Sequence, residues 1–137
     1  MLVRDFMTTT VFTIRVDKKI FVAKEIMSWA HIRHVPVVDR DGRVVGMISN
    51  RDLLRASIAS ISTRIARMER DQHLWSVPVR EVMRTEVETI RPDAPVQEAA
   101  RKMMEGKVGC LPVVDEGQLL GVISEFDLLG MIAQLPR

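Results

Sequence analysis

The chain has 137 residues, of which 47% are hydrophobic and 28% charged, and its formal net charge is +2. That length suits one compact domain or two small halves sharing a core, and the balance of residue types excludes disordered and fibrous classes. Basic residues form no dense tract, no run approaches the roughly 18 apolar residues of a membrane span, and Cys110 is the single cysteine, so nucleic acid, membrane and internal disulfide are not indicated and a reducing, cytoplasmic setting is expected.

The dominant pattern is a repeat. Val3 to Leu54 returns as Val79 to Leu129, displaced by about 76 positions. Two copies are too few for a solenoid and suggest a pair that packs as one body.

In chain order, Thr10 to Ile14 and Glu86 to Ile90 are rich in β-branched residues and predict short strands. Asp17 and Asp93 stand where a helix N-cap is expected. The helical stripes that follow are Ile20, Ala23, Met27 and Ala30, then Val96, Ala99, Ala100 and Met103. Val35-Pro36-Val37-Val38 and Leu111-Pro112-Val113-Val114 predict strands closed by turns at Asp39 to Gly42 and Asp115 to Gly117. Proline gives up a backbone donor, so these strands are expected at a sheet edge. Val44 to Ile48 and Leu119 to Ile123 return antiparallel, each broken by one glycine, Gly46 or Gly121. Such a glycine marks either a close approach of backbone or ligand, or a bulge.

Ser49-Asn50-Arg51-Asp52 and Ser124-Glu125-Phe126-Asp127 match the Ser-x-x-Asp pattern that opens a helix. The first of these helices is predicted to run through Ile58, Ile61, Ile65 and Met68, with Arg55, Arg64, Arg67 and Arg70 on a solvated face. The pattern is α/β (α+β), two β-α-β-β-α repeats packed as a pseudo-twofold pair. The domains so read are residues 1-60, a helical connector 61-77 and residues 78-137.

Each copy ends in Gly-x-Ile-Ser-x-x-Asp-Leu, carries Pro-Val-Val-Asp at its second strand and is led by Val-Arg and then Met7-Thr8 or Met83-Arg84. This combination resembles the CBS (cystathionine β-synthase) domain and covers nearly the whole chain outside the connector. The resemblance implies a Bateman module with two clefts between its sheets. It further implies a stand-alone sensor that binds AMP, ADP, ATP or S-adenosylmethionine and signals to an unknown protein partner.

An adenosine nucleotide needs apolar walls, a carboxylate for the ribose diol and donors for phosphate. Asp52 and Asp127 are acceptors suited to the diol, and Ser49 and Ser124 lie at helix N-termini that favour phosphate. Plain capping boxes need no ligand and explain the same residues. By resemblance, Thr13-Ile14 and Thr89-Ile90 line the base pocket, faced by Val35-Pro36 and Leu111-Pro112. By resemblance again, a basic residue three positions before the proline approaches phosphate, and Arg33 and Gly109 stand there, so unequal sites are expected. Arg84 is expected beside the second site, in partial compensation for Gly109.

His31 and His34, one helical turn apart, and Cys110 form the competing metal reading, but no zinc-ligand spacing accompanies them and no metal site is assigned. Nor does any nucleophile stand beside a base or any Walker-type loop occur, so no catalytic residue is assigned and an enzyme is not expected. The alternative to a sensor is a ligand-free scaffold. A twofold homodimer is expected through Met27, Trp29, Ile58 and Met131 on the exposed helices.

Overall fold

A computed structural model describes residues 1–58 and 76–137. The predicted stripe through Ile61, Ile65 and Met68, with Arg64, Arg67 and Arg70, lies outside the described residues, as does the side chain of Ile58. Helix α1 (Val3–Phe6) is followed by β1 (Ile14–Arg15), α2 (Ile20–Ala30), β2 (His34–Val38), β3 (Val44–Ser49) and α3 (Asn50–Ile58). After a 3-10 turn at Val79–Glu81 come α4 (Val96–Gly106), β4 (Cys110–Asp115), β5 (Gln118–Ser124) and α5 (Glu125–Ala133). The result is an α+β architecture of small sheets and packed helices.

Two compact units emerge, and they cut across the sequence repeat. One comprises Phe12–Glu86 and holds the first copy; the other joins Met1–Val11 to Val87–Arg137 and holds the second. The segment that leads into each copy therefore folds with the opposite copy. Val79, fully buried, sits in the core of the first-copy unit with Ile14, Ile20, Ala23, Val35, Val37, Ile48 and Leu53. Val3, equally buried, joins Ile90, Ala94, Ala99, Leu111, Val113 and Ile123 in the second-copy unit.

This exchange explains why neither predicted N-cap aspartate caps a helix. The caps of α2 and α4 are Lys19 and Pro95, neither of which makes a side-chain cap bond. The amides that open these helices reach remote backbone instead: Ile20 N–H donates to the Val77 carbonyl at 2.9 Å, and Val96 N–H to that of Met1 at 3.1 Å. Free first-turn amides need a partner, and a neighbouring chain segment serves as well as a side chain. Asp17 pairs with Arg15 and Asp93 with Arg91, outside the helices. Most of each apolar stripe is buried, Ile20, Ala23 and Met27 and then Val96, Ala99 and Met103, while Ala30 and Ala100 are half-buried.

In the first-copy unit the sheet order is β1-β2-β3, with β1 parallel to β2 and β2 antiparallel to β3. Pro36 is thus on the central strand, not on an edge. It is tolerated because β1 pairs only with Val37 and Val38, one residue further on. The second-copy unit shows the same economy: β4 and β5 pair antiparallel, and Ile90 alone bridges to Val113. There the Pro112 carbonyl accepts from Ile90 N–H at 3.0 Å. Proline has no N–H to extend the pairing toward earlier residues, so the first strand of each copy is shorter than its β-branched residues predict.

Candidate functional site

Both Ser-x-x-Asp segments form reciprocal caps where a strand turns into a helix. Ser49 N–H donates to Asp52 Oδ2 at 2.8 Å, and Asp52 N–H donates to Ser49 Oγ at 3.1 Å. The second copy repeats this with Ser124 N–H to Asp127 Oδ2 at 2.8 Å and Asp127 N–H to Ser124 Oγ at 3.2 Å. The Ser124 hydroxyl also donates to Asp127 Oδ2 at 3.0 Å. Each cap contributes about 1 kcal/mol to its helix. It also commits one oxygen of each carboxylate and leaves the other, Oδ1, to face a different group.

That second group comes from the segment exchanged between copies. Met47 and Arg84 pair through two backbone bonds of 3.0 and 2.9 Å, and Thr8 and Val122 through two of 2.8 and 2.9 Å. The strand glycines allow this approach. A Cβ on Gly121 would lie 2.6 Å from the Thr8 carbonyl oxygen, and one on Gly46 would lie 2.9 Å from that of Arg84 and collide with the Met83 sulfur. A register shift beside each glycine, at Val37/Val38 and at Val113/Val114, is also present. Both sequence readings of these glycines therefore hold, with backbone as the approaching group.

Arg84 thereby falls beside Asp52, its Nε 3.6 Å from Asp52 Oδ1. Where the sequence expects Arg84 beside the second site, its segment folds with the first copy and its guanidinium pairs with Asp52. Asp52, only 6% exposed, is the buried charged residue among those described. Next to it is an open surface depression of about 360 Å³ lined by Asp52, Arg55, Ala56, Glu81, Val82 and Arg84. In the second-copy unit, Thr8 Oγ1 donates to Asp127 Oδ1 at 3.2 Å.

The remaining sequence candidates divide by burial. The side chains of Ile14 and Val35 belong to one core, and those of Ile90 and Leu111 to the other; Pro36 and Pro112 are also buried. Thr13, Arg33 and Thr89 are exposed. The carbonyl of Arg33 accepts from Asn50 N–H at 2.8 Å, just as that of Gly109 accepts from Glu125 N–H at 2.9 Å. The two positions thus share one backbone role and differ only in side chain. Thr89 offers its carbonyl to Lys102 Nζ at 2.8 Å.

The metal reading loses its geometry. His31 ends α2 in the left-handed region, with φ 56°, and His34 is already in β2, so no helical turn joins them. Among the described residues no group of three His, Cys, Asp or Glu side chains gathers. The Cys110 thiol is pushed up to about 12, first by burial and then by the negative charge of Asp127. It is protonated at neutral pH, the opposite of what a thiolate ligand or nucleophile requires. Among the described residues no helix is long and apolar enough to cross a membrane.

Known proteins share this arrangement. A CBS domain-containing protein of Dictyostelium discoideum is 34% identical over 98% of this chain and 92% of its own length. The homoserine O-acetyltransferase of Methanococcoides burtonii is 31% identical over 95% of the chain, which spans only 24% of that enzyme. Among solved structures, the CBS domain pair of protein MJ0100 in complex with 5′-methylthioadenosine and S-adenosyl-L-methionine superposes with TM-score 0.80 at 26% identity, covering 97% of this chain and 96% of that one. CBSX2 in complex with AMP gives TM-score 0.82 at 26% identity, covering 99% of both chains. The CBS domain profile matches residues 3–59 and again 79–134, so the chain belongs to the CBS domain family as a pair of such domains.

Proposed function

We propose that this CBS pair is a regulatory module that binds an adenosine-containing ligand, of the AMP, ADP, ATP or S-adenosylmethionine type, and passes its bound state to a partner protein. The observation that carries this reading is the duplicated Ser-x-x-Asp cap, in which a carboxylate sits beside the first turn of a helix in both copies. A carboxylate is the natural acceptor for a ribose diol, and the positive end of a helix dipole favours phosphate. Ser49, Asp52, Ser124 and Asp127 take these roles, with Arg33 as a phosphate contact. The backbone of Thr13-Ile14, Val35-Pro36, Thr89-Ile90 and Leu111-Pro112 reads the base. The ligands of MJ0100 and CBSX2 support the class of molecule.

Thermal melting with AMP, ADP, ATP, S-adenosylmethionine and 5′-methylthioadenosine tests the reading. A ligand at 100 times its Kd adds about 2.7 kcal/mol when only the folded state binds it, so an active ligand raises Tm by several degrees. No shift with any of the five removes the proposal.

A homodimer is the second element, supported by large apolar side chains left in solvent. Trp29 is 76% exposed, Phe126 81% and Leu129 63%. Met27, by contrast, is buried in the core and offers nothing to a partner. Light scattering at twice the chain mass, falling to the single mass in Phe126→Ser with Leu129→Ser, is the expected result; a monomeric wild-type chain overturns it.

A further inference from the structure

The two copies build the same backbone frame around their motif aspartates and then fill it with different charge. Opposite Asp52 stands Arg84; opposite Asp127, at the matching place on the same kind of two-bond bridge, stands Thr8. The repeat extends the comparison to the other charged residues of the lining. Arg55 corresponds to Gly130 and Glu81 to Asp5. The first-copy unit therefore sets two arginines against two carboxylates, whereas the matching positions of the second-copy unit hold two carboxylates and no arginine.

We infer that residue 84 and its counterpart, residue 8, determine which charge of adenosine ligand each unit accepts: phosphorylated at the Asp52 site, and uncharged or cationic at the 5′ position at the Asp127 site. This rests on the adenosine-binding reading above and specifies it. At the Asp52 site the ribose diol takes over the carboxylate oxygen that Arg84 faces. The guanidinium, already half in solvent at 42% exposure, then turns to the phosphate, an anion its planar fork matches. Arg55 adds a second cation on the wall of the same depression. At the Asp127 site the Thr8 hydroxyl neutralises nothing, so a 5′-phosphate brought near Asp127 meets an unneutralised carboxylate, while a neutral thioether or a sulfonium does not meet like charge.

The test is calorimetric titration of the full chain with AMP and with 5′-methylthioadenosine, which share base and diol and differ in 5′ charge. The wild-type chain is expected to bind one AMP. In Arg84→Thr the affinity for AMP falls at least tenfold relative to that for methylthioadenosine. In Thr8→Arg, a change at an exposed side chain that should not disturb folding, a second AMP binds. If Arg84→Thr fails to fold, Thr8→Arg decides alone. An unchanged AMP-to-methylthioadenosine ratio in Arg84→Thr, or no second AMP in Thr8→Arg, overturns the charge assignment while leaving adenosine binding intact. No heat with either ligand in the wild-type chain overturns the functional reading itself, and this inference with it.

Discussion

A chain shortened to begin at Thr10 is expected to lose the second-copy unit while keeping the first. The deletion removes Val3, which is fully buried in the second-copy core, a burial worth about 1.5–3 kcal/mol. It also removes the Val3 N–H bond to Ala94, the Arg4 N–H bond to Pro92, the Met1 carbonyl that receives Val96 N–H at the head of α4, and both Thr8–Val122 bonds. Each such bond contributes about 0.5–1.5 kcal/mol. Together these approach the whole stability of a small unit, about 5–15 kcal/mol. Hydrogen exchange should show Cys110–Ser124 losing protection while His34–Ser49 retains it. Val3→Asp should reproduce this pattern, and Val79→Asp should invert it. Equal protection of Cys110–Ser124 in full-length and shortened chains would show that the exchanged segment is not holding that unit.

Substitution of the strand glycines should cost less, but still a large share of the stability. Gly121→Ala places its Cβ 2.6 Å from the Thr8 carbonyl oxygen and 3.2 Å from the Met7 sulfur. The sulfur can move, but the carbonyl is fixed by the Val122 N–H at 2.9 Å. Either that pairing opens or β5 shifts, at a cost of about 2–4 kcal/mol. Gly46→Ala meets the Arg84 carbonyl at 2.9 Å and should lose somewhat less. Gly130 provides the control. It lies in α5 with nothing within 4 Å of an added Cβ, so Gly130→Ala should stabilise by about 0.5–1 kcal/mol. Urea midpoints of the three variants test the order; Gly121→Ala melting with the wild-type chain would contradict the close approach.

Much of this was legible in the sequence because the determinants are local. The strands at Pro36 and Pro112, their turns at Gly42 and Gly117 with φ 78° and 79°, and the Ser-x-x-Asp caps each depend on residues a few positions apart. The helix starts were misjudged for the opposite reason. Asp17 and Asp93 have the chemistry of a cap, but the amides they were expected to serve are taken by carbonyls of Val77 and Met1, far away in sequence. The exchange itself left no local trace. Val3-Arg4 and Val79-Arg80 look alike, and the repeat has the same offset whichever core receives them. Consequently the sequence places Arg84 beside the second copy, and nothing local pairs Arg84 with Asp52 or Thr8 with Asp127. Comparing the partners of Asp52 and Asp127 position by position is the signal that would have found both.

The exchanged segments also impose an order of assembly. As the chain is synthesised, Phe12–Glu86 becomes complete while much of the remainder is still to be made, so its unit can close from contiguous sequence. Met1–Val11 emerges before Phe12–Glu86 yet has no core to enter until β4 and β5 follow, and it must then close a loop spanning the entire earlier unit. Loop closure grows costly only slowly with length, but such non-local contacts form late. Residues made before either unit are thus among the last to find their place, and until then Val3 is an exposed apolar side chain in need of a home.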